Sequence, residues 1–226
     1  MAVASIRRSR AGKGNQKLQV RSIALRNLLF LSLVASLTLA QSNASAEGDA
    51  EAGKAKSATC TACHGVDGNS VNPEWPKIAG QHASYTVLQL QAYKDGKRQN
   101  ALMMPMAMGL SDADMQDLAA YYASQQTTPG MADPELVATG ERVYRGGNPS
   151  RGVPACIACH GPAGKGNPLT MYPKLAGQHA VYTYLQLKAY ADQVRKSDKN
   201  QMMRNIADRM SDSDMRAVAS YIEGLR

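Results

Sequence analysis

The chain is short of the residues that usually fill a protein core. Aromatic side chains make up 5% of its 226 residues, with one Trp and one Phe. A unit of fewer than about 100 residues buries only a modest fraction of its surface. Such units usually need a further source of stability, such as a covalent link or a bound group, besides the packing of their own side chains. The composition therefore favours small domains held together by something more than apolar packing.

An excess of positive charge is also absent once the N-terminal segment is set aside. The formal net charge is +8, but residues 1–46 carry seven of the 26 Lys and Arg and none of the 18 acidic residues. The remaining 180 residues hold 19 basic and 18 acidic side chains, a net charge of +1. A nucleic-acid surface needs basic residues clustered on a folded face, so no nucleic-acid partner is expected.

The N-terminal segment has the pattern of an export signal. Its apolar run, residues 28–40, is 13 residues long, which is short for a membrane span. The run follows a basic region and precedes Ala44-Ser45-Ala46, which fits the small-residue cleavage rule. Residues 1–46 are predicted to be a cleavable signal peptide that directs the chain to the periplasm, with an uncleaved anchor as the alternative.

Only four cysteines are present, and they form one motif that occurs twice, Cys60-Thr61-Ala62-Cys63-His64 and Cys156-Ile157-Ala158-Cys159-His160. In such a motif two thiols form thioethers to a c-type haem and the adjacent His ligates its iron. Two covalently bound haem c groups are therefore predicted. A shared zinc site is disfavoured because the pairs lie 96 residues apart, and no strand and helix alternation supports a thioredoxin-like pair.

The motif lies within a longer tandem duplication. Residues 173–180 match 76–83, residues 185–190 match 88–93, and residues 211–215 match 111–115. The sequence thus predicts two similar domains, residues 47–128 and 135–226, joined by a linker at 129–134 that is rich in turn-forming residues.

Each copy is predicted to be all-α, with three or so short helices. Tyr85, Leu88 and Ala92 share one helical face. Ser111 and Asp114, like Ser211 and Asp214, have the spacing of a capping box that opens the last helix. An opening helix is expected to run from about Asp49, or about Pro134, into each cysteine motif.

The duplication narrows the choice of a second iron ligand. Only Met103 with Met203, and Met115 with Met215, are methionine in both copies. The second pair has the spacing of a hydrophobic staple with Leu110 and Met210. Met103 and Met203 are therefore the expected distal ligands, each in a loop eight residues before a helix cap, with Met104 and Met202 as competitors.

The other two histidines, His82 and His179, are rival ligands. A bis-His site has a lower reduction potential than a His/Met site. A histidine near a helix start more often caps the helix or packs near the surface, so the Met assignment is preferred.

These residues together resemble the dihaem cytochromes of the cytochrome c-four type. The resemblance covers residues 47–226 and includes the Pro-Lys-[Ile/Leu]-Ala-Gly-Gln segment of each copy. It implies two class I cytochrome c domains, with His64 and Met103, and His160 and Met203, as axial ligands. It also implies that the carbonyls of Pro76 and Pro173 accept a hydrogen bond from those histidines.

The resemblance further implies an electron carrier and not an enzyme. Such proteins pass electrons from a quinol-oxidising complex toward a terminal haem-copper oxidase, often in loose peripheral association with the membrane. An electron-entry subunit of a larger oxidoreductase and a dihaem peroxidase-like enzyme with one open iron site are the alternatives. Each Ser-Asp-x-Asp cluster is accounted for by helix capping, so acid–base catalysis has no support.

Because the core is so poor in aromatic side chains, the chain without haem is expected to fold poorly. Far-UV circular dichroism of a variant with all four motif cysteines replaced by serine should show much less helix than the haem-loaded protein. Full helicity in that variant would contradict the expectation.

Overall fold

A computed structural model describes residues 48–226, and every regular element within that range is helical. The predicted signal peptide, residues 1–46, lies outside the described residues. The first copy contains five α-helices: α1 Ala50–Lys56, α2 Ala58–His64, α3 Ala83–Lys94, α4 Met103–Met108 and α5 Asp112–Ala123. The second copy contains α6 Pro134–Gly146, α7 Ile157–His160, α8 Ala180–Ala191, α9 Met202–Ala207 and α10 Asp212–Gly224. The all-α class is confirmed.

The helices are more numerous and shorter than the sequence indicated. The expected opening helix is broken at Ser57 in the first copy, where the Ser57 hydroxyl donates to the carbonyl of Lys54 at 2.8 Å. In the second copy α6 ends at Gly146, because Gly147 adopts a left-handed φ of 70° and Pro149 and Pro154 follow. The two Met segments, expected to be loops, form the short helices α4 and α9.

The first and last helices of each copy cross at a glycine. A Cβ atom on Gly53 of α1 would lie 2.0 Å from the carbonyl oxygen of Asp117 in α5, and one on Gly140 of α6 would lie 2.2 Å from that of Ala217 in α10. Glycine costs roughly 0.5–1 kcal/mol in a helix interior, but here it lets two backbones touch. The same crossing in both copies is a consequence of the duplication.

The last helix of each copy begins as the capping prediction requires, with one difference. Ser111 and Asp114 form the reciprocal capping box at the start of α5. Ser211 accepts from the backbone N–H of Asp214 at 3.1 Å, but the Asp214 carboxylate accepts from the Asn148 side chain at 2.9 Å. That competing bond draws the Asp214 side chain away from the cap, so the second box is only half formed.

The predicted staple residues are packed in the interior. Met115 and Met215 are buried, and so is Met210. Met210 and Met215 belong to the large apolar cluster of the second copy, which also holds Tyr144 and Val218. Their burial agrees with a packing role.

The two copies pack against each other through a reciprocal pair of glutamines. The Gln178 side chain accepts from the Lys77 N–H at 2.9 Å and donates to the Lys77 carbonyl at 2.7 Å. Gln81 makes the same two bonds with the backbone of Lys174, at 3.0 and 2.9 Å. Because equivalent residues exchange equivalent bonds, this interface has an approximate twofold symmetry.

The segment between the copies is fixed by the two lysines that follow the matched prolines. The Lys77 ammonium donates to the carbonyl of Thr128 at 2.7 Å, and that of Lys174 donates to the hydroxyl of Thr127 at 2.5 Å. The described residues form one compact unit. Pro134, the last residue of the predicted linker, is already the first residue of α6.

The glutamine pair is expected to stabilise the interface measurably. Gln178→Ala leaves the partly buried N–H and carbonyl of Lys77 without their partner, so the free energy of unfolding should fall by about 1–3 kcal/mol. Urea denaturation of the haem-loaded protein measures this, and Gln99→Ala, at an exposed position, is the matched control. Equal stability of the two variants would show that the interface does not depend on these bonds.

Candidate functional site

The two cysteine motifs lie on short helices that end at the histidine. Helix α2 carries Cys60 and Cys63 and ends at His64, and α7 ends at His160 directly after Cys159. The next residue is a glycine with a φ of 81° in one copy and 75° in the other, and its N–H caps the helix. A left-handed residue at this position suits glycine, so the chain turns away immediately after each histidine.

Each motif histidine is buried and held by a proline carbonyl. The Nδ1 atom of His64 lies 2.9 Å from the carbonyl oxygen of Pro76, and Nδ1 of His160 lies 2.9 Å from that of Pro173. Burial lowers the pKa of both imidazoles, and the carbonyls only partly oppose it. A neutral imidazole that donates from Nδ1 presents a free Nε2 lone pair, the form that binds a metal.

The proline carbonyls are brought to the histidines by a turn that is the same in both copies. The carbonyl of Gly68 accepts from the N–H groups of Ile78 and Ala79 at 2.8 and 3.1 Å. The carbonyl of Gly164 accepts from those of Leu175 and Ala176 at 2.7 and 3.1 Å. These bonds tie the matched Pro-Lys segment to the loop that follows each histidine.

The cysteines do not have the properties of a redox-active dithiol. All four are free of disulfides and partly buried. Burial raises the pKa of the Cys156 thiol to about 11 and also raises the pKa of Cys60, whereas reactive Cys-x-x-Cys pairs have a lowered pKa. Within residues 48–226 no three Cys, His, Asp or Glu side chains converge on a metal position.

In the first copy the candidate distal residue opens a short apolar helix. Met103 is the first residue of α4, and the Asn100 side chain accepts from the N–H groups of Leu102 and Met103 at 3.0 and 2.9 Å. Met103 and Met104 are partly buried, whereas Leu102, Met106 and Met108 are exposed. No charged residue lies between 99 and 111, so the helix itself is uncharged, and the nearby Lys94 ammonium donates to the carbonyl of Leu110 at 2.5 Å.

In the second copy a longer loop with an ion pair leads to the candidate residue. Asn200 and Gln201 adopt left-handed φ values of 54° and 58° before α9 begins. The Asp198 carboxylate accepts from the Arg204 side chain at 2.7 Å and from its N–H at 3.0 Å. Met203 packs against the same apolar cluster as Cys156, so motif and candidate ligand share one interior.

The rival histidines are engaged at the interface between the copies. The Nε2 atom of His82 lies 2.8 Å from the carbonyl oxygen of Lys165, and Nε2 of His179 lies 2.9 Å from that of Ser70. Nδ1 of His179 also lies 3.4 Å from the Glu223 carboxylate. Each histidine directly precedes a helix, α3 or α8, and its Nε2 atom contacts a carbonyl oxygen of the other copy. Because Nε2 is engaged there, the arrangement favours Met over His as the distal ligand.

Several residues that support the site were not identified from the sequence. The Tyr121 hydroxyl donates to the carbonyl of Val66 at 2.9 Å, and that of Tyr144 donates to the carbonyl of Gly161 at 2.7 Å. Both bonds fix the loop just after a motif histidine. Tyr144 lies outside the segments that the duplication aligns, so no sequence pattern marked it.

The residues present fit a haem in each copy. Each provides two thiols and a neutral, oriented imidazole at one short helix, with Cys156 at the N-cap of α7. Among the described residues, the buried hydroxyls of Thr86 and Thr183 have no hydrogen-bond partner, and they occupy equivalent positions 97 residues apart. Buried hydroxyl groups normally have a hydrogen-bond partner. An unsatisfied hydroxyl at the same position in both copies is consistent with a bound group, such as a haem, completing each interior.

Comparison with known proteins agrees with this donor set. The family model described as Cytochrome c matches residues 50–126 and 137–226. A cytochrome c4 from Thiocapsa roseopersicina is 53% identical over 180 residues, covering 79% of this chain and 93% of that protein. The crystal structure of reduced recombinant cytochrome c4 from Pseudomonas stutzeri superposes with a TM-score of 0.77 at 46% identity, covering 79% of this chain and all of that one.

A third relative has a different role in its name. A thiosulfate dehydrogenase electron acceptor from Stutzerimonas stutzeri is 38% identical over 172 residues, covering 72% of this chain and 76% of that protein. The two cysteine motifs, the two matched segments and these similarities lead to one conclusion: the chain belongs to the cytochrome c family, as a dihaem protein of the cytochrome c4 type that carries two covalently bound haem c groups.

Proposed function

We propose that this protein is a periplasmic one-electron carrier that relays electrons from a membrane quinol-oxidising complex to a terminal haem-copper oxidase. The observation that carries the proposal is the complete donor set repeated in both copies, two cysteines, a proline-bound histidine and a methionine at the start of a short helix. An electron carrier of the cytochrome c4 type is the coarser statement that the relatives support.

The residues that hold each haem follow from the motifs. Cys60 and Cys63 would form the thioethers of one haem, and Cys156 and Cys159 those of the other. The haem iron supplies a reversible one-electron couple whose potential the protein tunes through its ligands and their hydrogen bonds. Each proximal imidazole is kept in one tautomer by its proline carbonyl, which also makes Nε2 a stronger donor.

We assign His64 and Met103 as axial ligands in the first copy, and His160 and Met203 in the second. Both methionines lie at the start of an equivalent helix, α4 or α9, after a hydrogen-bonded loop. Met ligation raises the reduction potential relative to bis-His ligation. A Met on the distal side in both copies would leave no open iron position, and for that reason we propose a carrier rather than an enzyme of the peroxidase type.

A second candidate function differs in the partner and not in the chemistry. The similarity to a thiosulfate dehydrogenase electron acceptor supports an electron-accepting subunit of a larger oxidoreductase. The same two haem sites would serve it. The donor that reduces the protein fastest therefore discriminates between the two candidates.

The cellular location is proposed from the N-terminal sequence. A basic region, an apolar run and a small-residue cleavage site favour export and cleavage after Ala46. No helix in the described part of the chain is long and apolar enough to cross a membrane. Loose peripheral attachment is the form of membrane association that we propose.

Replacement of the distal methionines tests the ligand assignment. Met103→Leu and Met203→Leu keep the side-chain volume but remove the sulfur, so each should abolish half of the Met-to-iron charge-transfer band of the oxidised protein. Met104→Leu and Met202→Leu are the matched controls and should leave the band intact. Loss of the band in a control variant instead would transfer the assignment to that residue.

The function is tested on the mature protein isolated from the periplasm. We expect two haems per chain, a mass that fits cleavage after Ala46, low-spin iron in both domains and uptake of two electrons. Rapid reduction by a quinol-oxidising complex and oxidation by a haem-copper oxidase would support the first candidate, whereas faster reduction by thiosulfate dehydrogenase would favour the second. Fewer than two haems, or high-spin iron in either domain, would refute the carrier proposal.

A further inference from the structure

Two arginines are buried between the two copies without an acidic partner. The side chains of Arg98 and Arg195 belong to residues that are 7% and 5% exposed, and they occupy equivalent positions 97 residues apart. Within residues 48–226 no carboxylate lies within 4.0 Å of either guanidinium, since neither takes part in any of the salt bridges there. Buried charges are normally paired, so this arrangement requires an explanation.

The two guanidinium groups share their hydrogen-bond acceptors. The Gln89 amide oxygen accepts from Arg98 at 3.0 Å and from Arg195 at 2.8 Å. The Gln186 amide oxygen likewise accepts from Arg98 at 3.0 Å and from Arg195 at 2.9 Å. Two like charges that bond to the same two neutral oxygens are close neighbours and repel each other, and the amides carry no charge to offset this.

Aromatic rings complete the surroundings. Arg98 lies over the Tyr93 ring and Arg195 over the Tyr190 ring, each 4.6 Å from the ring centroid. Arg98 donates to the Tyr182 hydroxyl at 2.7 Å, and Arg195 donates to that of Tyr85 at 2.8 Å. The titratable groups that face the arginines from α3 and α8 are thus four tyrosines, which are neutral near pH 7.

The uncompensated charge also acts on its neighbours. Burial raises the pKa of Tyr182, but Arg98 and Arg195 outweigh that effect and the pKa lies below its ordinary value. The buried hydroxyls of Thr86 and Thr183, which have no partner among the described residues, lie on the same helices as Gln89 and Gln186 and three residues before them. The arginine pair therefore adjoins the interior that a haem would complete.

We propose that Arg98 and Arg195 form one anion-binding centre that neutralises propionate carboxylates of both haems at the interface between the copies. Carboxylates match the fork of a guanidinium group, and one arginine per copy matches one haem per copy. A free inorganic anion has the same chemistry, but it would have to reach a closed interior, whereas the haems are covalently held there. This inference rests on the two bound haems and not on the identity of the redox partners.

The consequence is a set of reduction potentials that are high and insensitive to pH. A positive charge near a haem disfavours the ferric form, which is the more positive one, and therefore raises the potential. An ion-paired propionate also stays ionised across the neutral range. Because the arginines share both glutamines, the loss of one should affect both haems, and its own haem more.

Spectroelectrochemical titration of the arginine variants tests the proposal. In Arg98→Met the ferrous-to-ferric ratio of the first haem at a fixed potential should fall about tenfold at pH 8, which is about 59 mV for one electron. The loss should become smaller toward pH 5, because an unpaired propionate then takes up a proton. Arg195→Met should do the same to the second haem, and Arg98→Lys, which keeps the positive charge but not the fork, should show a smaller loss than Arg98→Met.

Arg216→Met is the matched control, because Arg216 also lies over a tyrosine ring, Tyr184, at 4.3 Å but is exposed and paired with Asp212. The ratio should change by less than twofold in this variant. Haem content and the Met-to-iron band are recorded for every protein. If the haems or the Met-to-iron band are missing from the wild-type protein, the proposed function is wrong. If the band is intact and the potentials of Arg98→Met and Arg195→Met equal those of the wild type at every pH, only the arginine proposal is wrong.

Two measurements on the wild-type protein cover variants that do not fold. Redox difference infrared spectra of protein whose propionates carry ¹³C should show ionised carboxylates from pH 5 to 8, and a propionate that protonates near neutral pH would overturn the proposal. Potentials should not change when chloride replaces phosphate at constant ionic strength. A dependence on that exchange would assign the centre to an inorganic anion instead.

Discussion

The constraint on which the structure depends is a shortage of large apolar side chains, which is greatest in the first copy. The first copy shows this most clearly, since its buried cluster contains only Leu118, Tyr121 and Tyr122, with Cys60 packed against it. Its first and last helices touch backbone to backbone at Gly53, which brings the chain together without bulky side chains. A covalently held haem would supply the large apolar body that this copy lacks.

The same shortage explains why polar contacts are so prominent between the copies. An interface that buries many polar groups must satisfy them one by one, and the reciprocal bonds of Gln81 and Gln178 do so for the backbone of Lys174 and Lys77. Such bonds are directional, so they fix orientation as well as contact. Two separate haem domains thereby become one unit in which the distance between the haem sites is set by the protein and not by a flexible linker.

Much of the site could be predicted because it depends on local spacing. The cysteine motifs, the helix caps at Ser111 and Ser211 and the staple methionines are all short-range patterns, and the duplication allowed one copy to be checked against the other. The half-formed box at Asp214 could not be foreseen, because it depends on Asn148, which is 66 residues away. The helical form of the Met segments was missed because Asn100 and the pair Asp198–Arg204 fix them through side-chain bonds that leave no periodic signal.

The interface was missed for a different reason. Arg98 and Arg195 occupy matching positions in the two copies, as Met103 and Met203 do, but an isolated arginine in a sequence is ordinarily a solvated surface residue. Only the fold shows that these two lie inside, and only their burial without a carboxylate distinguishes them from the exposed, ion-paired Arg216. A duplication therefore identifies pairs of equivalent residues, whereas their chemical role depends on which surfaces the two copies bury against each other.

The differences between the copies lie around the haem sites and not in the donor sets. With the proposed ligands, two cysteines, a proline-bound histidine and a methionine in each copy, the ligands alone would give two similar potentials. The first copy places an uncharged, Met-rich helix beside its site, with Leu102 and Met108 about 60% exposed, whereas the second places the Asp198–Arg204 ion pair there. Any difference in potential or partner preference between the two haems must therefore arise from these surroundings, since solvent exposure and nearby charge act on the iron while its ligands stay the same.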